Sequence, residues 1–290
     1  MSLLKVWIEA MRLRTLPVSV AGVAAGTACA VACGSFEAWP AVLCVLFAVL
    51  AQIASNFANE YYDYVSGIDR KGRQGPRRGV TEGDITPVAM KTATYITLAA
   101  ACAVGLSLIE WGGWWLIAVG AAIAVGVLAY STGPYPLSRH ALGEVAVIFF
   151  FGIIPVNFTF YLQAGVFDTS CFLVSVAIGL MGANVLIVNN YRDRYDDLSA
   201  GKTTLATLLG PRTVSNIYLF NGYIAVALMM DIWLALPRPS LAVPCLYLMA
   251  HTSIWHNLRR LEGAALTPLL GATAVTMFLY SLLLLLCVAL

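Results

Sequence analysis

Residues 38–69 read AWPAVLCVLFAVLAQIASNFANEYYDYVSGID. The first twenty of these positions carry no charge, and the next twelve hold Glu60, Asp63 and Asp69. A second stretch repeats the idea: residues 170–197, SCFLVSVAIGLMGANVLIVNNYRDRYDD, run apolar before ending in Asp193, Asp196 and Asp197. An uncharged run of about twenty residues is long enough to cross a hydrocarbon core as a helix. Acids placed just past its end fall at the membrane surface, where water and ions reach them.

Working outward, the rest of the chain has the same character. Of 290 residues, 60% are hydrophobic and 11% are charged, with a mean hydropathy of +0.81; a soluble domain carries about 25% charged residues. The chain therefore reads as an all-α integral membrane protein, because irregular backbone cannot face lipid. Hydropathy places nine spans near 15–33, 38–57, 88–109, 114–131, 143–163, 170–190, 214–236, 241–256 and 267–289. The mixed prefix through Arg14 reads as an interfacial helix rather than a cleavable signal. Sixteen of the seventeen Lys and Arg residues lie in the N-terminal segment and in the loops after spans two, four, six and eight, counting Lys91 in the first turn of span three, with Arg238 alone on the other side. Basic residues are retained in cytoplasmic loops, so the N-terminus and both acidic clusters are expected at the cytoplasmic face of a bacterial inner membrane.

No Pro/Ser-rich linker or soluble insert interrupts the chain, which reads as one membrane-embedded domain over residues 1–290 with weak internal pseudo-symmetry. Seven scattered cysteines lack CxxC spacing and read as small apolar residues. A net charge of +2 gives no footprint for nucleic acid, while its confinement to one face suits anionic headgroups or an anionic substrate.

The clusters carry the chemistry. Asn59 and Asp63 lie four residues apart, on one helical face, and Gly67 permits a left-handed turn that brings Asp69 back toward Asp63. Asn189, Asp193 and Asp197 recur at four-residue intervals as one polar stripe, with Asp196 expected to point elsewhere. Amide and carboxylate oxygens facing one another suit Mg2+, a hard ion that keeps waters and substrate phosphates in its shell. Either cluster alone resembles an ordinary solvated helix end with capping acids. Two on one face, in a chain with so few acids, point to a single site. Arg70, Lys71, Arg73, Arg77 and Arg78 follow the first cluster and Lys202 the second, supplying donors for a diphosphate. Positive-inside topology explains these basic residues equally well, though not their adjacency to the acids.

These residues carry a resemblance. The chain resembles the UbiA superfamily of intramembrane aromatic prenyltransferases, and within it the 1,4-dihydroxy-2-naphthoate polyprenyltransferase branch. The resemblance rests on Arg12 to Pro17 (RLRTLP), Asn59 to Asp63 with Gly67-Ile68-Asp69, Gly75-Pro76-Arg77, Tyr130 to Leu137 (YSTGPYPL), Leu142-Gly143-Glu144, and Asn189 to Ala206. Glu60 stands where the family commonly has Asp, and the six-residue step from Asp63 to Asp69 is similar to the naphthoate branch. Where many relatives place a Lys after span four, this chain has Ser138-Arg139-His140.

The resemblance implies a UbiA-type bundle of nine helices enclosing a cytoplasmic-facing chamber. It also implies Mg2+ held by Asn59, Asp63, Asp69, Asn189, Asp193 and Asp197, binding a polyprenyl diphosphate drawn from membrane lipid. Departure of diphosphate leaves an allylic cation, which dihydroxynaphthoate attacks at the carbon bearing its carboxylate, with loss of CO2. Asp63, Asp69, Asp193, Asp197, Arg192, Lys202 and Tyr130 are then the catalytic candidates, and Asn59, Asn189, Arg77, Arg139 and Glu144 the substrate-binding ones. Phe57, Tyr61, Tyr62, Phe158, Phe160 and Tyr161 are candidates to line the chamber, their faces suited to positive charge. A hydroxybenzoate, homogentisate or glycerol phosphate acceptor stays open. So does a transporter, which would place its acids near mid-membrane. Tail length and oligomeric state are not written in the sequence.

Overall fold

The computed structural model describes residues 2–72 and 77–290. The Arg73 and Gly75-Pro76 positions of the first basic loop lie outside the described residues.

Each of the nine apolar stretches is helical. A short amphipathic helix, α1 (Leu3–Met11), precedes them and buries Val6 and Ala10 against Phe57, Val80, Ile85 and Met90. The long helices are α2 (Leu16–Ala32), α3 (Ala38–Val65), α4 (Pro87–Ser107), α5 (Leu116–Ala129), α6 (Gly143–Ala164), α7 (Thr169–Ser199), α8 (Leu205–Leu228), α9 (Ala242–Leu258) and α10 (Thr267–Ala289). Six helices among the described residues are long and apolar enough to cross a membrane. Of the other three, α5 has 14 residues, α9 has 17, and α8 is broken at Gly210, where φ is 75° ahead of Pro211. The helix expected at 214–236 thus starts earlier: Thr204 caps it, accepting from the Thr207 backbone, and a separate turn, Met230–Ala235, follows.

The central helices are α2 and α7. The first packs on α3, α6 and α10, the second on α6, α8 and α10. Lipid supplies no hydrophobic drive between helices, so close approach through small residues holds such bundles together. Glycines provide it here. A Cβ on Gly26 would stand 2.4 Å from the Val156 carbonyl, and one on Gly22 would stand 2.7 Å from that of Phe151. Gly152 meets Gly179 and the Ser175 carbonyl at 2.4 Å in the same sense. Within α6, residues Ile148–Ile153 form a π turn just ahead of Pro155. Proline lacks the N–H that would bond the carbonyl four residues back, and a π turn is a common way to absorb such a break.

Candidate active site

Both acidic clusters sit on helix ends finished in the same way. At the end of α3, the Gly67 amide donates to the Tyr64 carbonyl and the Ile68 amide to that of Asp63, with Gly67 at φ 71°. At the end of α7, the Gly201 amide donates to Leu198 and the Lys202 amide to Asp197, with Gly201 at φ 69°. Each is a Schellman turn whose left-handed position favours glycine. The first turn folds the chain back as its Gly67 suggested, and the Asp69 amide reaches the Asp63 carbonyl at 3.1 Å.

Four carboxylates then meet four cations. Asp63 pairs with Arg139 at 3.2 Å, Asp69 with Arg78 at 3.2 Å, Asp193 with Arg192 at 2.6 Å, and Asp197 with Lys202 at 3.3 Å. All four acids are at most 5% exposed. Ion pairing offsets the burial of so many charges, which would be prohibitive singly. Among the described residues no three His, Cys, Asp or Glu side chains converge as a ready-made metal cluster.

One cavity of about 1100 Å³ gathers this chemistry, lined by Arg12, Asn59, Asp63, Asp69, Arg78, Tyr130, Asn189, Asn190, Asp196, Asp197 and Lys202. A second cavity of about 1100 Å³ is almost wholly apolar and runs beneath α2 to α6. The two share Gln52, Ser55, Tyr130, Val147 and Phe151 as lining, so the polar cavity adjoins the apolar one at the level of Tyr130.

Neighbouring side chains fix the acids. Asn59 donates to Asp63 at 2.9 Å and to the Ser131 hydroxyl at 3.2 Å, while its own carbonyl oxygen accepts from Arg12 at 2.7 Å. Arg192 holds Asn189 (2.9 Å) and both oxygens of Asp193, and its buried Nη1 has no hydrogen-bond partner among the described residues. Glu144 is buried; one of its oxygens accepts from Asn190 at 2.9 Å and the other has no hydrogen-bond partner among the described residues. The loops bearing Arg139 and Lys202 are stitched together, since the Ala141 amide donates to the Thr203 carbonyl and the Thr203 amide to that of Arg139.

Several sequence expectations are corrected. Arg77 does not reach the cavity: it is half-exposed and pairs with Asp84, and that hydrogen bond holds the Asp84 carboxyl below the usual carboxylate range. Its neighbour Arg78 lines the cavity instead. Asp196 does not point elsewhere but lines the wall, whereas Asp193 and Arg192 stand behind it. Of the aromatic candidates, only Phe158 lines the apolar cavity, together with Phe47, Phe150 and Phe151. Phe57 packs edge-on against Trp7, Tyr61 joins that cluster, and the Tyr62 hydroxyl meets that of Tyr95. Phe160 belongs to the main core, and Tyr161 stacks on Phe167 beside Trp115.

Sequence reading also missed Arg12, although it stands in the quoted RLRTLP motif, and the task of Glu60. That buried carboxylate accepts from the Val80 amide at 3.1 Å, pinning the short helix that follows Arg78.

The profile of the UbiA prenyltransferase family matches residues 19–264. A 1,4-dihydroxy-2-naphthoate octaprenyltransferase of Escherichia coli is 33% identical over 295 aligned positions, covering 96% of this chain and 92% of that protein. One of Mycobacterium tuberculosis is 38% identical over 233, covering 80% and 79%. Among solved structures, an apo UbiA homolog from Aeropyrum pernix K1 superposes with a TM-score of 0.70 at 16% identity, covering 93% of this chain and 97% of that one. A UbiA homolog from Archaeoglobus fulgidus bound to DMAPP and Mg2+ gives 0.68 at 14%, covering 97% and 99%. With two membrane-helix ends delivering paired acids and bases to one cavity, and relatives matched over most of its length, this integral membrane chain belongs to the UbiA prenyltransferase family.

Proposed function

We propose that the chain transfers a polyprenyl group from polyprenyl diphosphate to 1,4-dihydroxy-2-naphthoate with decarboxylation, the step that builds the demethylmenaquinone skeleton. The observation that carries this reading is the polar cavity beside acid–base pairs that adjoins, at Tyr130, an apolar chamber. Such a pair of compartments matches a donor with a diphosphate head and a hydrocarbon tail. The naphthoate acceptor and an octaprenyl donor are what the relatives' names give. The whole chain acts as one domain of nine spans, with the N-terminus and chamber mouth cytoplasmic, supported by the distribution of basic residues.

The donor set fits a hard divalent cation, being made only of carboxylate and amide oxygens with guanidinium and ammonium groups beside them. Asn59, Asp63 and Asp69 from α3 and its turn, with Asn189 and Asp197 from α7, would hold Mg2+, and Asp193, held behind them by Arg192, would support that set. When bound, the ion supplies positive charge to the diphosphate oxygens and makes them a better leaving group.

The chain's own residues do the rest. Arg78 and Lys202 bind phosphate oxygens and steady the charge that grows on them as the allylic carbon–oxygen bond breaks and its electron pair leaves with diphosphate, while Arg139 fixes Asp63. Arg192, with a spare donor, holds the α7 oxygens in place. Tyr130, at the junction, presents its ring to the allylic carbon and separates that carbon from the water-filled mouth. Asn190, backed by Glu144, orients the acceptor. The acceptor's ring carbon then forms the new carbon–carbon bond, and its carboxylate leaves as CO2, returning the bonding pair to the ring so that no proton need be removed there.

The test is prenyl transfer in membranes supplied with dihydroxynaphthoate, octaprenyl diphosphate and Mg2+, with 4-hydroxybenzoate, homogentisate and glycerol phosphate as competing acceptors. Product from the naphthoate alone, lost on chelation and in Asp63→Ala and Asp193→Ala, is expected. Preference for another acceptor, or full activity in both variants, overturns the assignment.

A further inference from the structure

The polar cavity has an apolar end of its own. Val18 of α2, Gly182, Val185 and Leu186 of α7, and Leu270 of α10 line the polar cavity and not the apolar chamber, whose border with it runs through α3, Tyr130 and α6. Positions 182, 185, 186 and 189 share one face of α7, so the stripe that carries Asn189 turns apolar below it. The rim of this end stands beside Tyr130: around the point where Gly143 would carry a Cβ lie a Leu186 methyl at 2.9 Å and the Tyr130 hydroxyl at 3.6 Å.

Gly182 is unlike the glycines that bring the helices together. A Cβ on Gly22, Gly26, Gly152 or Gly179 would meet backbone atoms at 2.4–2.8 Å, whereas the nearest neighbours of one on Gly182 are the methyl ends of Val147 (3.2 Å), Met277 (3.5 Å) and Val18 (3.7 Å). Glycine weakens a helix interior relative to alanine, and here no close backbone contact requires it. What its bareness leaves is room between Val18 and Val147, both on the cavity wall. Above that room Asn190, 4% exposed, lines the same cavity. Its amide nitrogen donates to Glu144, and no hydrogen bond reaches its carbonyl oxygen among the described residues. The oxygen is thus the arm left on the cavity side. Helical side chains lean toward the helix N-terminus, which on α7 is the direction of Gly182, eight residues and about 12 Å below.

We propose that Gly182 opens a slot, bounded by Val18 and Leu270, that receives the second, fused ring of the naphthoate while the Asn190 carbonyl accepts from a ring hydroxyl, so that Gly182 selects a bicyclic over a monocyclic acceptor. The inference rests on the prenyl-transfer reading above and adds what tells one acceptor from another. A ring hydroxyl can donate to a carbonyl oxygen; the fused ring carries no polar atom and loses nothing against a wall of Val, Leu and Gly. The prenyl tail, housed in the chamber beneath α2 to α6, does not compete for this end.

The test compares 1,4-dihydroxy-2-naphthoate with 2,5-dihydroxybenzoate, which keeps both hydroxyls and the carboxylate but lacks the second ring. Equilibrium dialysis of the purified chain in detergent, with Mg2+ and pyrophosphate, gives Kd for each acid, and initial rates with octaprenyl diphosphate give KM for naphthoate and donor, in the wild type, Gly182→Ala, Gly182→Val and Val18→Phe. Filling the slot with Gly182→Val is expected to raise the naphthoate Kd and KM by about ten-fold or more, since even one methylene of misfit in an apolar pocket is worth about 10- to 200-fold. The benzoate Kd should move by less than about three-fold and the donor KM should stay where it is. Val18→Phe enters the same space from α2 and should follow Gly182→Val, with Gly182→Ala between it and the wild type. A folded Gly182→Val with an unchanged naphthoate Kd overturns the slot, as does an equal loss for both acids or a wild type that binds the benzoate as tightly as the naphthoate. If the two larger substitutions fail to fold, Gly182→Ala decides: a naphthoate-to-benzoate Kd ratio that does not rise overturns the slot. Binding that follows the expected pattern without any transfer to naphthoate in the wild type keeps the slot and sinks the prenyl-transfer reading.

Discussion

Replacing Arg78 by Ala separates the cavity lining from the rest of the basic loop. Its guanidinium lies 3.2 Å from Asp69 with only 10% of the side chain exposed. At an effective dielectric constant of about 20, a pair at that distance attracts with about 5 kcal/mol, gross of desolvation. A charge-assisted hydrogen bond from the same guanidinium to a phosphate oxygen is worth about 1.5–3 kcal/mol net of desolvation. If Arg78 contributes that much to the departing diphosphate, kcat/KM for the donor falls by about 10- to 150-fold, because 1.4 kcal/mol is a factor of ten. Lysine restores charge but not the planar fork, so Arg78→Lys should recover only part of the loss. The adjacent Arg77→Ala is the control: its pair with Asp84 is exposed, and its removal should only let the Asp84 carboxyl rise toward its ordinary value. The assay is initial-rate transfer over a series of diphosphate concentrations, normalised to folded protein. Equal losses at 77 and 78, or less than three-fold loss at 78, would refute the reasoning.

Two further outcomes follow from the packing. Glu60→Ala releases the Val80 amide that fixes the segment beside Arg78, so it should reduce donor kcat/KM by several-fold, and a Glu60/Arg78 double-mutant cycle should be clearly less than additive; strict additivity would show that Glu60 acts elsewhere. Gly152→Ala drives a methyl group into the backbone of α7 at Gly179 and should cost about 1–3 kcal/mol by overpacking, read as a lowered midpoint of thermal unfolding in detergent; an unchanged midpoint would mean that the helices can part there freely.

How far the sequence could be read varied with local geometry. Glycine at 67 announced its turn because few other residues adopt a left-handed φ cheaply. The polar stripe on α7 was legible only in part. At 100° per residue, Asn189 and Asp196 are seven positions and about 20° short of two full turns apart, whereas Asp197 has drifted about 80° from Asn189. A four-residue spacing therefore concealed Asp196, which lies on the cavity wall, whereas Asp193, only about 40° from Asn189, is held off that wall with both oxygens on Arg192. Arg77 and Arg78 stand in irregular backbone, which has no period from which to phase a side chain; the direction each takes follows from tertiary contacts, Val80 with Glu60, Arg78 with Asp69 and Arg77 with Asp84. Aromatic identity likewise said nothing about direction: Phe158 and Phe160 are two residues apart on one helix, so one faces the chamber and the other the core. The apolar runs were clear because bilayer thickness sets their length, yet the bend in α6 at Phe150 follows from how Pro155 is accommodated in three dimensions.

The twin Schellman turns bear on the field inside the cavity. A helix carries the equivalent of about half a negative charge at its C-terminal end, and here two helices, of 28 and 31 residues, aim that end at one chamber. Acids are ordinarily disfavoured at such positions, yet Asp63 and Asp197 both stand on the last turn. The resting protein balances this potential with Arg78, Arg139 and Lys202. A diphosphate that drew those cations to itself would leave the helix ends uncompensated unless a doubly charged ion arrived with it. The shape of two chain reversals thus favours entry of the donor as its metal complex rather than as the bare anion.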